Sequence, residues 1–217
     1  QVDWRAWFRG RFLRLYPMYW VAHVIIVFAP FVWFPEPVDA RIIPSLLGLR
    51  FWPPISSNFY YLNAAWWYFS LLIQLYIVFP LLWTLLRRIG PGRFFVLTLI
   101  ATLATRAALI YVWPTDGLWI QGGFFGGRLV EFTGGMVLGS LHRSDPAALE
   151  SRLFSRRTLV AGLAVYAVAI WCHRSLAGYV VSDTLVAAGL FVVLAAAARA
   201  LTAHAGIGLR LSRVGAF

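Results

Sequence analysis

Three arginines open the first apolar stretch of the chain, in Arg9-Gly-Arg11-Phe-Leu-Arg14-Leu-Tyr16-Pro17-Met-Tyr19-Trp20. Arg11 and Arg14 are spaced i, i+3, so on a helix they share a face. Two guanidinium forks on one face suit a phosphate or a carboxylate. The plainer reading is a basic flank that sets membrane orientation. Further along, His23, Gln74, Arg106, Arg128 and Glu131 all fall inside apolar runs. At ~1.5 Å per residue each lies roughly 13 to 18 Å from a span end, near the middle of a hydrocarbon core of about 30 Å.

Ionised groups at that depth are costly and usually face protein or a water-filled cavity. Arg106, Arg128 and Glu131 are therefore expected to share one polar cavity. Arg128 and Glu131, three residues apart, can pair on one helix. Arg106 then has no evident partner in the chain, which implies an anion, a carbonyl or a carboxylate from elsewhere. The alternative for this group is a buried network that only fastens helices together. For His23 the alternatives are a packed core histidine and a catalytic one.

Several chemistries are excluded. All 19 basic side chains are arginine, so no lysine amine or Schiff base can act. The single Cys172 allows neither an internal disulfide nor a cysteine-rich metal site. The chain contains no HExxH, CxxC, phosphate loop or Gly-x-Ser-x-Gly elbow.

The elements that must position these residues are membrane helices. The 217 residues are 61% hydrophobic and 12% charged, about half the charge of a soluble domain, and mean hydropathy is +0.74. Eleven Trp and nine Tyr suit aromatic belts at the two interfaces. The net charge of +11 does not point to nucleic acid, because the arginines sit between apolar runs.

The expected fold is an all-α, polytopic transmembrane helical bundle forming one membrane-embedded domain over residues 1–217. Spans are expected near 12–34, 64–86, 94–113, 119–141, 158–173 and 178–201. Pro17 should occupy the first turn of the first span and Pro30 should kink its far end. Residues 35–63 form a proline-rich loop, with Leu46-Leu47-Gly-Leu49 and Phe51-Trp52 lying in the interface. A Gly90-Pro91-Gly92 turn separates the second and third spans. In the fourth, the pairs Gly122/Gly126, Gly123/Gly127 and Gly135/Gly139 have small-xxx-small spacing, which suits close helix packing. With six spans, fourteen arginines fall on the N-terminal side of the membrane. Three (Arg41, Arg50, Arg174) fall on the other side and two (Arg106, Arg128) within spans. That asymmetry places both ends in the cytoplasm.

Arg11-Phe-Leu-Arg14-Leu-Tyr16-Pro17-Met-Tyr19 resembles the Arg-x-x-Arg-hydrophobic-Tyr-Pro segment of the integral-membrane acyltransferase 3 family. Trp67-Tyr-Phe-Ser70-Leu-Leu-Ile-Gln74-Leu-Tyr76-Ile-Val-Phe-Pro80 is similar to the family's Trp-x-x-Ser-x-Glu-x-Gln-x-Tyr-x-x-x-Pro span. Arg128-Leu-Val-Glu131-Phe132-Thr-Gly-Gly135-Met-Val-Leu-Gly139 resembles its later Arg-x-x-x-Phe-x-x-Gly-x-x-x-Gly span. Leu211-Ser-Arg-Val-Gly215 is similar to the approach to its late Ser-Tyr span. The chain departs from the pattern at Leu72, where the family has glutamate, leaving that role to Gln74 or Glu131. The family's catalytic histidine lies on an earlier span, about eleven residues after an Arg or Lys. His23 does not fit that spacing, so the resemblance implies a catalytic residue upstream of Gln1. The chain would then be an internal fragment, lacking the first spans and several later ones and inactive alone.

The resemblance implies a bacterial inner-membrane O-acyltransferase. Acyl-CoA, acetyl-CoA for O-acetylation, would be its donor, and a hydroxyl of a sugar, polysaccharide or lipid-linked glycan its acceptor. Arg11 and Arg14 would hold the donor, and Arg106 or Arg128 would stabilise the oxyanion. No metal is implied. A transporter of a small anion or lipid-linked sugar also fits mid-membrane Arg and Glu, although the chain has no internal repeat. A non-catalytic membrane partner is a third reading, which the departure at Leu72 keeps open.

Overall fold

The computed structural model describes residues 2–28, 38–50, 61–112 and 122–203, among which every regular element is helical. The chain divides into two compact units, Gln1–Phe132 and Thr133–Phe217. Pro30, Phe51, Trp52 and the Leu211–Gly215 motif lie outside the described residues.

In the first unit, α1 spans Trp4–Phe28. Asp3 Oδ1 accepts the Ala6 N–H at 3.1 Å and caps its start. The helix begins well before the expected boundary, so Arg5, Arg9 and Arg11 lie on it rather than ahead of it. This corrects the placement of Pro17, which sits inside the helix and not in its first turn. Its missing N–H leaves the carbonyl of Leu13 without the usual i+4 donor.

Part of the expected loop, residues 45–47, is hydrogen-bonded to α1. Residues Ile42–Leu46 form a short helix, α2. Ahead of it, Arg41 donates to both Asp39 carboxylate oxygens (3.0 and 2.9 Å), and the Asp39 N–H donates to Tyr61 Oη at 3.0 Å. The Arg41 side chain and backbone hold the Asp39 carboxyl below its ordinary pKa. The stabilisation from this contact is therefore present above the usual carboxylate range and is lost as pH falls through the lowered value. After α2 the chain turns at Gly48, where φ is +74°. A Cβ there would also meet Ile73 Cδ1 at 2.5 Å and the Phe69 ring at 3.1 Å.

A single 3-10 turn, Ala64–Trp66, is capped by Asn63 Oδ1, which accepts the Ala65 N–H at 2.8 Å. It leads into α3 (Trp67–Ile89), and α4 follows over Pro91–Val112. Gly90 closes α3 and Pro91 opens α4, as the Gly-Pro-Gly turn implies. Arg87 and Arg88 occupy the last turn of α3, where the helix dipole favours cations. α4 packs against α3 and carries a buried stripe of Phe94, Thr98, Thr102, Arg106, Leu109 and Ile110.

The expected continuous fourth span is broken. Phe124 is extended (φ −96°, ψ 132°), Phe125–Arg128 form a 3-10 turn, and α5 begins only at Leu129, running to Ser144. At 16 residues it measures about 24 Å, short of the core thickness.

In the second unit, α6 (Pro146–Leu153) and α7 (Arg156–Cys172) are capped by Asp145 and Ser155, and α8 covers Leu176–Ala203. The α7–α8 pair is a close hairpin. A Cβ on Gly189 would meet Gly162 O at 2.8 Å and Tyr166 N at 2.9 Å, so small residues let the backbones touch. That is where glycine packing is realised within this unit. Gly135 and Gly139, expected to serve it, have open space at the Cβ position.

Three helices are long and apolar enough to cross a membrane: α3, α4 and α8. The α6–α7 pair, bent by 59°, makes a fourth if it counts as one span. The fold is thus an all-α membrane protein with three to four candidate spans among the described residues.

Gly48→Ala tests how the loop is seated. Positive φ and the Ile73 contact act together, so a loss of about 1–3 kcal/mol is expected, measured as a lowered Tm in detergent. An unchanged Tm would mean that the loop does not rest on α3.

Candidate functional site

Among the described residues of the first unit, two buried polar clusters are joined through one serine. The first lies between α1, α2 and the turn into α3. Tyr19 and His23, one helical turn apart, are the buried residues of α1. Tyr19 Oη donates to Ser45 O at 2.7 Å. His23 Nδ1 lies 2.9 Å from Tyr19 O, and its Nε2 lies 2.8 Å from Ser45 Oγ. Arg50, 1% exposed, donates from Nη2 to Ser45 Oγ and from Nη1 to Tyr61 O at 2.7 Å. Trp66 stacks on the imidazole, with centroids 3.8 Å apart and planes 20° apart, and the Arg50 Cζ lies 5.1 Å from the Trp66 ring. Tyr16 and Trp20 bond the carbonyls of Leu47 and Leu46 at 3.2 and 3.1 Å.

The second cluster surrounds the break before α5. Gln74 Nε2 donates to Gly123 O at 2.8 Å and to Ser70 O at 3.2 Å, while its Oε1 accepts the Phe125 N–H at 3.1 Å. Arg106 is fully buried, donating from Nε to Gly127 O at 2.7 Å and from Nη2 to Glu131 Oε1 at 2.6 Å. Thr102 Oγ1 accepts the Val130 N–H at 3.0 Å. Ser70 joins the clusters: its hydroxyl accepts the Arg50 N–H at 3.3 Å and its carbonyl takes Gln74.

The expectation that Arg106 lacks a partner within the chain is therefore corrected, because Glu131 from the first turn of α5 pairs with it. The premise of one helix carrying Arg128 and Glu131 also changes, since Arg128 sits in the 3-10 turn and Glu131 on α5. Gln74, Arg106 and Glu131 converge on the stretch that contains Arg128, whereas His23 belongs to the other cluster. Sequence reasoning quoted Ser70 only as a motif residue and missed Ser45 and Arg50 as site residues. The one signal for them was a lone arginine inside Leu46-Leu47-Gly48-Leu49-Arg50-Phe51-Trp52, which was counted as an orienting charge but is buried.

The Arg11–Arg14 pair lies toward the start of α1. The Arg11 guanidinium sits 5.4 Å from the Trp7 ring and 5.6 Å from that of Tyr76, within cation–π range. Trp7 in turn stacks on Phe79 of α3 at 4.9 Å. Arg11 is half-buried and Arg14 exposed. No group of three or more His, Cys, Asp or Glu side chains suited to a metal occurs among the described residues.

The Arg106–Glu131 pair is 0% and 19% exposed. Removing one partner of such a pair strands a charge, at about 3–5 kcal/mol. Arg106→Met and Glu131→Leu should each destabilise by at least about 2 kcal/mol in detergent unfolding, and the double variant by clearly less than their sum. Strict additivity would show that the two charges are not coupled.

Comparison with known proteins adds the family. A family model described as an acyltransferase domain, the acyltransferase 3 model, matches residues 1–214. No curated protein and no solved structure matches the chain. The Arg-x-x-Arg-x-Tyr-Pro segment on α1, the Trp-x-x-Ser span of α3 and the Arg-x-x-Glu-Phe start of α5 all lie within the matched region, and this chain belongs to the acyltransferase 3 family.

Proposed function

We propose that this membrane acyltransferase moves an acyl group, acetyl in the simplest case, from acyl-CoA to a hydroxyl of a sugar, polysaccharide or lipid-linked glycan. The observation that carries the donor side of this reading is the Arg11–Arg14 pair. Arg11 is held by the faces of Trp7 and Tyr76, which stiffens a long side chain before any ligand arrives. Arg14, one turn further and exposed, supplies a second fork. Two guanidinium groups in this arrangement suit the phosphates of a nucleotide-linked donor. Arg106, with Nε and Nη2 engaged, positions the start of α5 in this reading and does not meet the oxyanion. The arginine asymmetry supports six spans in a bacterial inner membrane, both ends in the cytoplasm, and a donor site on the cytoplasmic side.

Two outcomes are expected. In the full-length protein, Arg11→Ala and Arg14→Ala each weaken acyl-CoA binding at least about tenfold, as loss of a charge-assisted contact implies, with membrane insertion unchanged. Arg14→Lys restores part of the affinity, because an ammonium does not reproduce the fork. Wild-type donor affinity in the double alanine variant would remove the assignment. Topology reporters fused after Arg88 and after Arg157 should both report the cytoplasm, and an external signal at either would overturn the six-span arrangement.

A further inference from the structure

The cluster around Ser45 contains a proton path with a fixed direction. Tyr19 O is a carbonyl and can only accept, so the His23 nitrogen facing it, Nδ1, carries the proton. Neutral His23 therefore presents a bare Nε2 to Ser45 Oγ at 2.8 Å, and the hydroxyl donates to it. Arg50 Nη2 donates to the same oxygen. A hydroxyl thus faces a base, the base is oriented through its other nitrogen, and a cation lies on the oxygen that would become negative. This is the arrangement of an activated nucleophile, with a backbone carbonyl as the orienting group.

A helical serine or threonine with a purely local role turns its hydroxyl to the carbonyl three or four residues back. Thr84, Thr98, Thr105 and Thr202 do so. The Ser45 hydroxyl instead leaves its helix to meet His23 and Arg50. Trp66, stacked on the imidazole, limits its rotation away from the hydroxyl.

The geometry points to Ser45 as a nucleophile that carries the acyl group between donor and acceptor. His23 is its base and Arg50 the counter-charge of its oxygen. This rests on the acyl-transfer reading above. Ser45 Oγ attacks the carbonyl carbon of the thioester as its proton passes to His23 Nε2. The C–S bond breaks, the thiolate takes that proton, and an ester remains on Ser45. The acceptor hydroxyl then gives its proton to His23 and attacks the ester carbonyl. The Ser45 C–O bond breaks, and Oγ recovers the proton from Nε2. No oxidant, reductant or metal enters either half. Ser45 is 3% and His23 1% exposed, which keeps bulk water from the ester, as transfer to a chosen hydroxyl requires. Delivery of the thioester carbonyl requires residues 47–50 to part from α1, where Tyr16 and Trp20 hold the segment by one hydrogen bond each.

The test uses the full-length protein in native membranes and an alkyl fluorophosphonate, which phosphonylates activated serine hydroxyls and expels fluoride. The expected result is an adduct mapped by mass spectrometry to the peptide carrying Ser45, formed at least about a hundredfold more slowly in His23→Gln, the scale of a lost general base. Ser45→Ala should transfer no acyl group while keeping its Tm within a few degrees. Folded Ser45→Ala with wild-type transfer would overturn the proposal, and so would an unlabelled Ser45 in protein that turns over. If Ser45→Ala fails to fold, the wild-type adduct decides alone. Because labelling needs no acyl donor, a labelled Ser45 in protein that does not use acyl-CoA supports the nucleophile and counts against the donor reading only.

Discussion

An irregular stretch of backbone packed against helices must find partners for its N–H and C=O groups outside itself. Regular helices pair these groups by themselves, but two stretches of the first unit are not regular. Residues 47–50 continue from α2 as irregular chain along α1, and residues 124–128 interrupt what would otherwise be a fourth span. In both, helix side chains supply the missing partners. Tyr16, Tyr19 and Trp20 bond the carbonyls of Leu47, Ser45 and Leu46. Gln74 and Arg106 donate to the carbonyls of Gly123 and Gly127, while Gln74 and Thr102 accept the N–H groups of Phe125 and Val130. These polar residues are therefore committed to backbone as much as to one another.

That commitment shapes the chemistry. A mid-membrane arginine with an empty coordination sphere would attract any anion, whereas Arg106 is tied to Gly127 and Glu131 and acts as a brace. The Arg106–Glu131 pair is electrically balanced. Arg11, which lies against the Trp7 and Tyr76 rings, and the exposed Arg14 both sit near the start of α1. In the proposed reading anion recognition falls to these two and bracing to Arg106, although the three look alike in the sequence.

The helices themselves were readable because hydropathy alone determines them: α3, α4 and α8 lie within a few residues of the expected bounds. The Gly90-Pro91 turn was equally plain, since both residues have one strong local preference. The break at Phe124–Arg128 was not readable. Gly122-Gly-Phe-Phe-Gly-Gly-Arg128 is apolar enough for a span, and its departure from the helix depends on Gln74 and Arg106, some fifty and twenty residues earlier in the chain. The path of Ser45 and Arg50 was hidden for the same reason. A short loop helix carries no periodicity that predicts its docking, and a lone arginine in an apolar loop reads as a flank until its partners are known. The partner of Arg106 was missed because Glu131 was assigned to its nearest neighbour in sequence on the assumption of an unbroken helix.

The family glutamate that falls on Leu72 left its role to Gln74 or Glu131, and the hydrogen bonds separate the two. Gln74 faces two carbonyls, of Ser70 and Gly123, and one N–H, of Phe125. Carbonyls only accept, so the amide nitrogen must point at them and the amide oxygen at the N–H. A carboxylate in the same place has no hydrogen to give Gly123 and would set two like partial charges against each other. The clamp on the broken span therefore requires an amide, and Gln74 cannot take over an acidic function without releasing it. Glu131 is the carboxylate left in this network. Its charge is already balanced by Arg106, in the brace that fixes the start of α5.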